Sequence, residues 1–193
     1  MQRRALASDI IIVNHHLFFA DLAVKENDFA SIIPDYEAVV FDEAHELEDV
    51  AGQYFGLSIS NHMIDDLRKD IQAVARRKEI GSAELDRVLI GLQDASERFF
   101  ACLPPQDGRT GFQRRAAFVA QFQDLYQDLL SALEITGVQL QLIRESMDEV
   151  VPLFSRARTL QDNLKQYLEG QAEDFVYWIE RRGRGVFLQA TPI

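Results

Sequence analysis

The stretch Ala38-Val39-Val40-Phe41-Asp42-Glu43-Ala44-His45 sets how the rest of the chain is read. A short apolar run that ends in two carboxylates is the pattern of a buried parallel strand delivering acids to its carboxyl end. Open α/β sheets place their ligands at that end. Mg²⁺ keeps much of its water and takes one or two carboxylates plus substrate phosphates, so Asp42 suits a metal-holding role. Glu43 is then placed to orient and deprotonate an attacking water, and His45 to relay the state of a γ-phosphate to neighbouring segments. Asp-Glu pairs are common on solvated turns, and it is the apolar run ahead of this one that gives it weight.

Upstream, residues 8–13 form a second β-branched apolar run, long enough for a strand and too short for a buried helix. Residues 17–25 then read as a short helix, and Pro34-Asp35 as the turn into the 38–41 strand, which gives a strand-helix-strand unit of parallel type. His15 and His16 follow the first run, and with His45 they invite a metal. Neutral histidines at a strand end more commonly hydrogen-bond backbone, and zinc needs further well-spaced ligands. Beyond His45 an acidic helix continues to about residue 53, its carboxylates favoured near the start by the dipole.

Three segments together resemble a known family. "DIIIVNHHLFFADL" at 9–22, "AVVFDEAHELEDVA" at 38–51 and "VYWIERRGRGVFLQATPI" at 176–193 are similar, in that order, to the DinG/XPD-like branch of superfamily 2 DNA helicases. The resemblance covers roughly a quarter of the chain, at its two ends. It implies that Asp42 and Glu43 are the Walker B acids of an ATP-driven 5′-to-3′ motor acting on single-stranded or forked DNA in repair or replication. It also implies that Asn14 and His15 belong to the segment after an iron-sulfur domain, and that residues 57–171 are the arch inserted into the first motor domain. Residues 1–56 are then part of that motor domain, and 172–193 a β-hairpin returning to it.

Departures from the family bear on activity. No Gly-x-x-x-x-Gly-Lys-Ser/Thr occurs in the chain, so it lacks the phosphate cradle that binds the nucleotide. An iron-sulfur cluster needs four thiolates, and Cys102 is the only cysteine. ATP, Mg²⁺ and the cluster are therefore expectations for a complete enzyme. The chain reads as a piece of one, inactive alone, that starts after the cluster and stops before the second motor lobe.

The middle of the chain is helical by spacing. Apolar residues recur at Ile64, Leu67, Ile71 and Val74 after an N-capping Ser60, and at Leu85, Val88, Leu89, Leu92, Ala95 and Phe99 before Pro104-Pro105. A third helix over about 112–135 carries Phe118, Phe122, Leu125, Leu129 and Leu133, with a break expected near Thr136-Gly137. A fourth over about 138–168, with an interruption expected near Pro152, carries Leu142, Met147, Val150, Leu153, Leu160, Leu164 and Tyr167. Four such helices bury each other most simply as an antiparallel bundle. Residues 106–111 read as a loop, and 175–188 as the hairpin, turning at Arg182-Gly183-Arg184-Gly185. The fold class is thus mostly α with a small α/β part: a bundle set into a remnant of a parallel-sheet RecA-like domain, plus the hairpin.

The net charge of −11 and the pI near 4.8 argue against uniform attraction to nucleic acid, so any DNA contact is local. Three basic groups qualify: Arg76-Arg77-Lys78, explained by a helix C-terminus, Arg114-Arg115 at a helix start, and Arg181-Arg182-Arg184 in the hairpin. One cysteine excludes an internal disulfide framework and suits a reducing, cytoplasmic setting, and no apolar run is long enough to cross a bilayer. Strands at 10–13 and 39–41 with open edges would invite a homodimer. Two other readings compete with the helicase piece: a stand-alone helical protein-interaction module with a relic acid segment, and a metal hydrolase built from His15, His16, Asp42, Glu43 and His45.

Overall fold

The computed structural model describes residues 8–25, 32–144, 147–170 and 175–192. The chain divides between Gly56 and Leu57 into two compact units.

In the first unit, α1 (His15–Lys25) packs on α2 (Leu47–Phe55). Asn14 caps α1 by accepting the Leu17 N–H at 2.8 Å. Phe19 is buried on its inner face, its ring 6.1 Å from that of Phe55. Asp21, 1% exposed, sits on the same helix and ties down the returning chain. Its carboxylate accepts the N–H groups of Ile32 and Ile33 and pairs with Lys25 at 3.0 Å. Burial pushes the Asp21 carboxyl up, but the Ile33 and Ile32 N–H groups and Lys25 outweigh it and hold it below its ordinary value of 3.8.

The expected parallel strands are not formed among the described residues. Segments 8–14 and 32–43 are irregular and pair with nothing as a ladder. Ile12 and Val40, which the apolar runs place in a core, are 93% and 94% exposed. A parallel strand is buried on both faces and exists only through its neighbours, and among the described residues none flanks these runs. The strand edges that would pair two copies are correspondingly absent.

The second unit holds the remaining helices and the sheet among the described residues. Its long helices are α3 (Asn61–Arg77), α4 (Ala83–Ala101), α6 (Gln123–Arg144) and α7 (Val151–Glu169), with a short α5 (Arg115–Gln121) before α6. Ser60 and Ser82 cap α3 and α4, accepting from Met63 N at 3.2 Å and Leu85 N at 3.1 Å. Contacts run around a ring, α3 on α4, α4 on α6, α6 on α7 and α7 on α3. Side-chain pairs fix the directions. Arg98 late in α4 meets Asp128 early in α6 while Gln139 late in α6 meets Glu84 early in α4, so these two helices run antiparallel. Leu67, Leu92, Phe99, Tyr126, Leu129, Ala157, Leu164 and Tyr167 are shut from solvent between them.

Two helix boundaries differ from expectation. The third apolar stripe splits at Phe122, and α6 then continues through Thr136-Gly137 to Arg144. An interior glycine costs a helix about 1 kcal/mol, less than the burial of Leu133 and Leu140 on either side returns. The interruption expected near Pro152 is present: a 3₁₀ turn over Asp148–Val150 precedes α7, and Pro152 takes the first turn of that helix, where proline is tolerated. Leu142, expected in the core, lies out on the surface of α6, 66% exposed.

The sheet has the order β1-β4-β3-β2 and is antiparallel: β1 (Leu57–Ser60), β2 (Gly108–Gly111), β3 (Phe175–Arg182) and β4 (Gly185–Pro192). Leu57 faces Ala190 across β1 and β4, and Arg109 faces Glu180 across β2 and β3. Strands β3 and β4 form the expected hairpin, turning through Gly183 at φ +58, where glycine is needed. Residues 108–111, expected as loop, are its edge strand. Alternation divides the faces: Tyr177, Ile179, Leu188 and Ala190 join the core, leaving Val176, Trp178, Glu180 and Arg182 on the other side. Among the described residues no helix is long and apolar enough to cross a membrane.

Candidate nucleotide and nucleic-acid sites

Asp42, Glu43 and His45 lie where an extended segment meets a 3₁₀ turn over Ala44–Glu46. Glu43 takes the left-handed conformation, φ 48 and ψ 49, which non-glycine residues adopt at a cost of about 1–2 kcal/mol. That bend has local supports. One Asp42 oxygen accepts the Glu43 N–H at 3.0 Å, and the Glu43 carbonyl accepts from Glu46 N at 2.9 Å. The bend turns the Glu43 carboxylate toward His45, with Oε2 3.3 Å from Nδ1. Among the described residues no hydrogen bond is given to the second Asp42 oxygen, and a carboxylate open to water is a kind of donor that could serve Mg²⁺ shared with a phosphate.

His15 is drawn to the same place by ring packing: its ring centroid lies 6.1 Å from that of Phe41, the residue before Asp42. Phe18 meets Phe41 edge-on at 5.1 Å, so α1 cradles the acid segment through aromatic contacts. Asn14 acts on α1 as a cap, and His16 packs instead against Tyr54 at 6.0 Å. Among the described residues, no group of three or more His, Cys, Asp or Glu side chains comes together to hold a metal ion.

The basic residues sort by partner. Arg115 donates to the carbonyls of Tyr167 and Gly170 and lies 3.3 Å from the centre of the Tyr177 ring, so its guanidinium closes α7 onto β3. Arg181 donates to the carbonyls of Pro104 and Leu103 beyond α4. Lys78 pairs with Glu149 at 2.9 Å. Arg182 is outward, 2.7 Å from Glu180. Arg114 and Arg184 are exposed at the start of α5 and in the hairpin turn. Cys102 ends α4 with its thiol toward the Arg98 carbonyl.

Comparison with known proteins extends these observations over the whole length. The ATP-dependent DNA helicase YoaA of Haemophilus influenzae is 32% identical over 192 residues, covering 100% of this chain and 30% of that protein. The ATP-dependent DNA helicase YoaA of Escherichia coli is 33% identical over 194 residues, with the same shares covered. End to end, the chain is similar to part of a DNA helicase. It spans 30% of the length of these curated relatives. No protein-family profile matches it. The similarity includes the bundle, which carries no motif of its own, as well as the two ends.

One group of residues escapes a reading of the sequence. Arg109 and Trp178 meet on the outer face of the sheet, the guanidinium 5.6 Å from the indole centre. A signal is present in the alternation of Val176, Trp178, Glu180 and Arg182, but the partner strand carrying Arg109 has the glycine-rich chemistry of a loop.

Proposed function

We propose that the chain supplies the acid pair and the helical arch of an ATP-driven DNA helicase motor, working 5′ to 3′ on single-stranded or forked DNA in the cytoplasm. One observation carries this: similarity to two named ATP-dependent DNA helicases over the full chain, with Asp42-Glu43-Ala44-His45 inside the matched segment. Residues 1–56 contribute to the motor domain, 57–171 to the arch, and 172–193 to the hairpin that returns toward the motor. Asp42 would hold Mg²⁺, and the ion would supply positive charge against the nucleotide's phosphates. Glu43 orients the attacking water and takes its proton. His45, 3.3 Å from the Glu43 carboxylate, senses whether that carboxylate is engaged and passes the state on through the 3₁₀ turn. Asn14 and His15 set the position of α1 behind the acids. An iron-sulfur cluster belongs to the complete enzyme, since a single cysteine cannot ligate one. DNA contact falls to Arg114, Arg182 and Arg184, with Arg115 holding the scaffold that presents them.

In the full-length helicase, Glu43→Gln is expected to abolish ATP turnover while nucleotide binding persists, because the shape is kept and the base removed. Equal loss of binding and turnover would contradict the role given to Glu43. The 193-residue chain by itself is expected to show no ATPase activity with Mg²⁺ and single-stranded DNA. A second reading, a protein-interaction module, is favoured by Ile135, Val138 and Leu142, which lie exposed along one side of α6. ATP turnover by the full-length protein, lost on Glu43→Gln, separates the two.

A further inference from the structure

The outer face of the four-stranded sheet carries a set of side chains that the acid segment does not use. Trp178 lies on β3 with Arg109 over its ring from β2. Glu180, two residues along the same face, is 8% exposed at its side chain and sits between Arg182 at 2.7 Å and Arg109 at 3.5 Å. The two arginines are themselves 67% and 60% exposed. On β4, Leu188 points into the core, which puts Phe187 and Gln189 on the outer face with Trp178. The two-residue turn places Phe187 and Trp178 within reach on a diagonal.

Three properties of this face point to one class of ligand. It combines aromatic rings with exposed guanidinium groups, whereas the chain as a whole carries a net charge of −11. Glu180 holds both arginines by their inner edges and offsets one charge, so the pair keeps a net positive charge and outward N–H donors. Trp178 is half-buried, with its Nε1–H turned from solvent and meeting no acceptor among the described residues, so what the ring can offer a ligand is its apolar surface and not a hydrogen bond. Rings on a pleated face stack unpaired bases, while the guanidiniums pair with the phosphates between them. Duplex DNA offers no free ring face to such a surface.

We propose that the outer face of this sheet, with Trp178 and Phe187 flanked by Arg109, Arg182 and Arg184, is a stacking platform for single-stranded DNA. It rests on the helicase reading only for the choice of DNA as the nucleic acid. Trp178 is the only tryptophan in the chain, so its fluorescence reports the platform directly. The test titrates the 193-residue chain with an oligothymidylate of about 15 nucleotides, a length such platforms cover, following both Trp178 emission and the anisotropy of a labelled oligonucleotide.

Saturable quenching is expected, weakening with added salt. The Arg109→Ala/Arg182→Ala variant should keep its thermal melt and bind about tenfold or more weakly. Inorganic polyphosphate should leave the emission unchanged, since it offers charge without bases. Any of four results overturns the platform: no binding, binding without quenching, equal quenching by polyphosphate, or wild-type affinity in the double variant. Glu43→Gln should quench like the parent, because it is remote from the ring in chemistry and sequence. If the oligonucleotide leaves Trp178 untouched while Glu43→Gln still stops turnover in the full-length helicase, the platform falls and the motor reading stands. Quenching together with full turnover in that variant supports the platform and removes Glu43 from the motor chemistry.

Discussion

The two compact units divide chemistry from stability. The first carries Asp42, Glu43 and His45 at the end of an irregular segment in which Val40 faces water, as Ile12 does in the other irregular segment. The second carries a continuous core from Ile59 to Ala190. An acid segment can therefore be held by a few specific contacts, a cap, one buried aspartate and edge-on and tilted ring contacts, without a core of its own. Its conformation is then set by those contacts one by one, whereas the bundle is over-determined.

This division is tested most directly by truncating matched apolar residues. Leu92→Ala removes a fully buried side chain from the bundle and should destabilise the second unit by about 2–5 kcal/mol in urea, followed by Trp178 emission. Val40→Ala in the first unit should change stability by no more than about 0.5 kcal/mol. Equal costs would mean that Val40 is buried in solution and that the first unit has the strand its sequence promises.

A smaller effect is expected at Arg115. Arg115→Ala removes two hydrogen bonds to carbonyls and the cover over Tyr177, a loss of about 2 kcal/mol in the same urea experiment. If stability is unchanged and only DNA binding weakens, Arg115 belongs with the ligand contacts and not with the fold.

The first unit has its own signature in acid. The Asp21 carboxyl lies below 3.8 in the folded chain, so its contribution is fully present above that pH and is lost as pH falls through the lower folded value. Amide exchange at Ile32 and Ile33, corrected for intrinsic rate, should accelerate below about pH 3.8 while amides in α4 and α6 stay protected. Asp21→Asn should remove the pH dependence. Simultaneous loss in both units would show that they unfold as one.

The smallest change has the opposite sign. Glu43→Gly relieves the left-handed bend and should leave the first unit as stable or up to about 1 kcal/mol more so by calorimetry, with loss of the proposed base. Destabilisation instead would mean that the carboxylate's contact with His45 outweighs the strain.

What is legible in the sequence follows the range of the forces involved. The limits of α3 are readable to the residue because Ser60, the Ile64-Leu67-Ile71 spacing and the terminal arginines all act within a turn or two. Helix α6 runs past the break expected near Thr136-Gly137 because Gly137 is a local signal, and the burial of Leu133 and Leu140 by distant helices is not. The edge strands β1 and β2 escape notice for the same reason: each has four residues, and their partners lie 127 or more and about 70 residues away in the chain. Local pattern says that residues 8–13 and 38–41 would make strands; it does not say whether neighbours are present to make a sheet. At the site, residue types single out Asp42 and Glu43, but the bend at Glu43 and the Trp178–Arg109 pair arise only from the folded backbone.

The pairing of β1 with β4 has a mechanical consequence. Leu57, the first residue of the unit, lies opposite Ala190, almost the last, in an antiparallel ladder. Tension applied at those two ends loads the ladder's bonds one after another, as in opening a zip, instead of all together in shear. Asn61, bonded to the Arg184 carbonyl and to Val186 N at 2.9 Å each, then ties the opening strands to the start of α3. Under pull the unit would yield first at this seam, leaving the bundle's core intact and free to close the ladder again when the force is released.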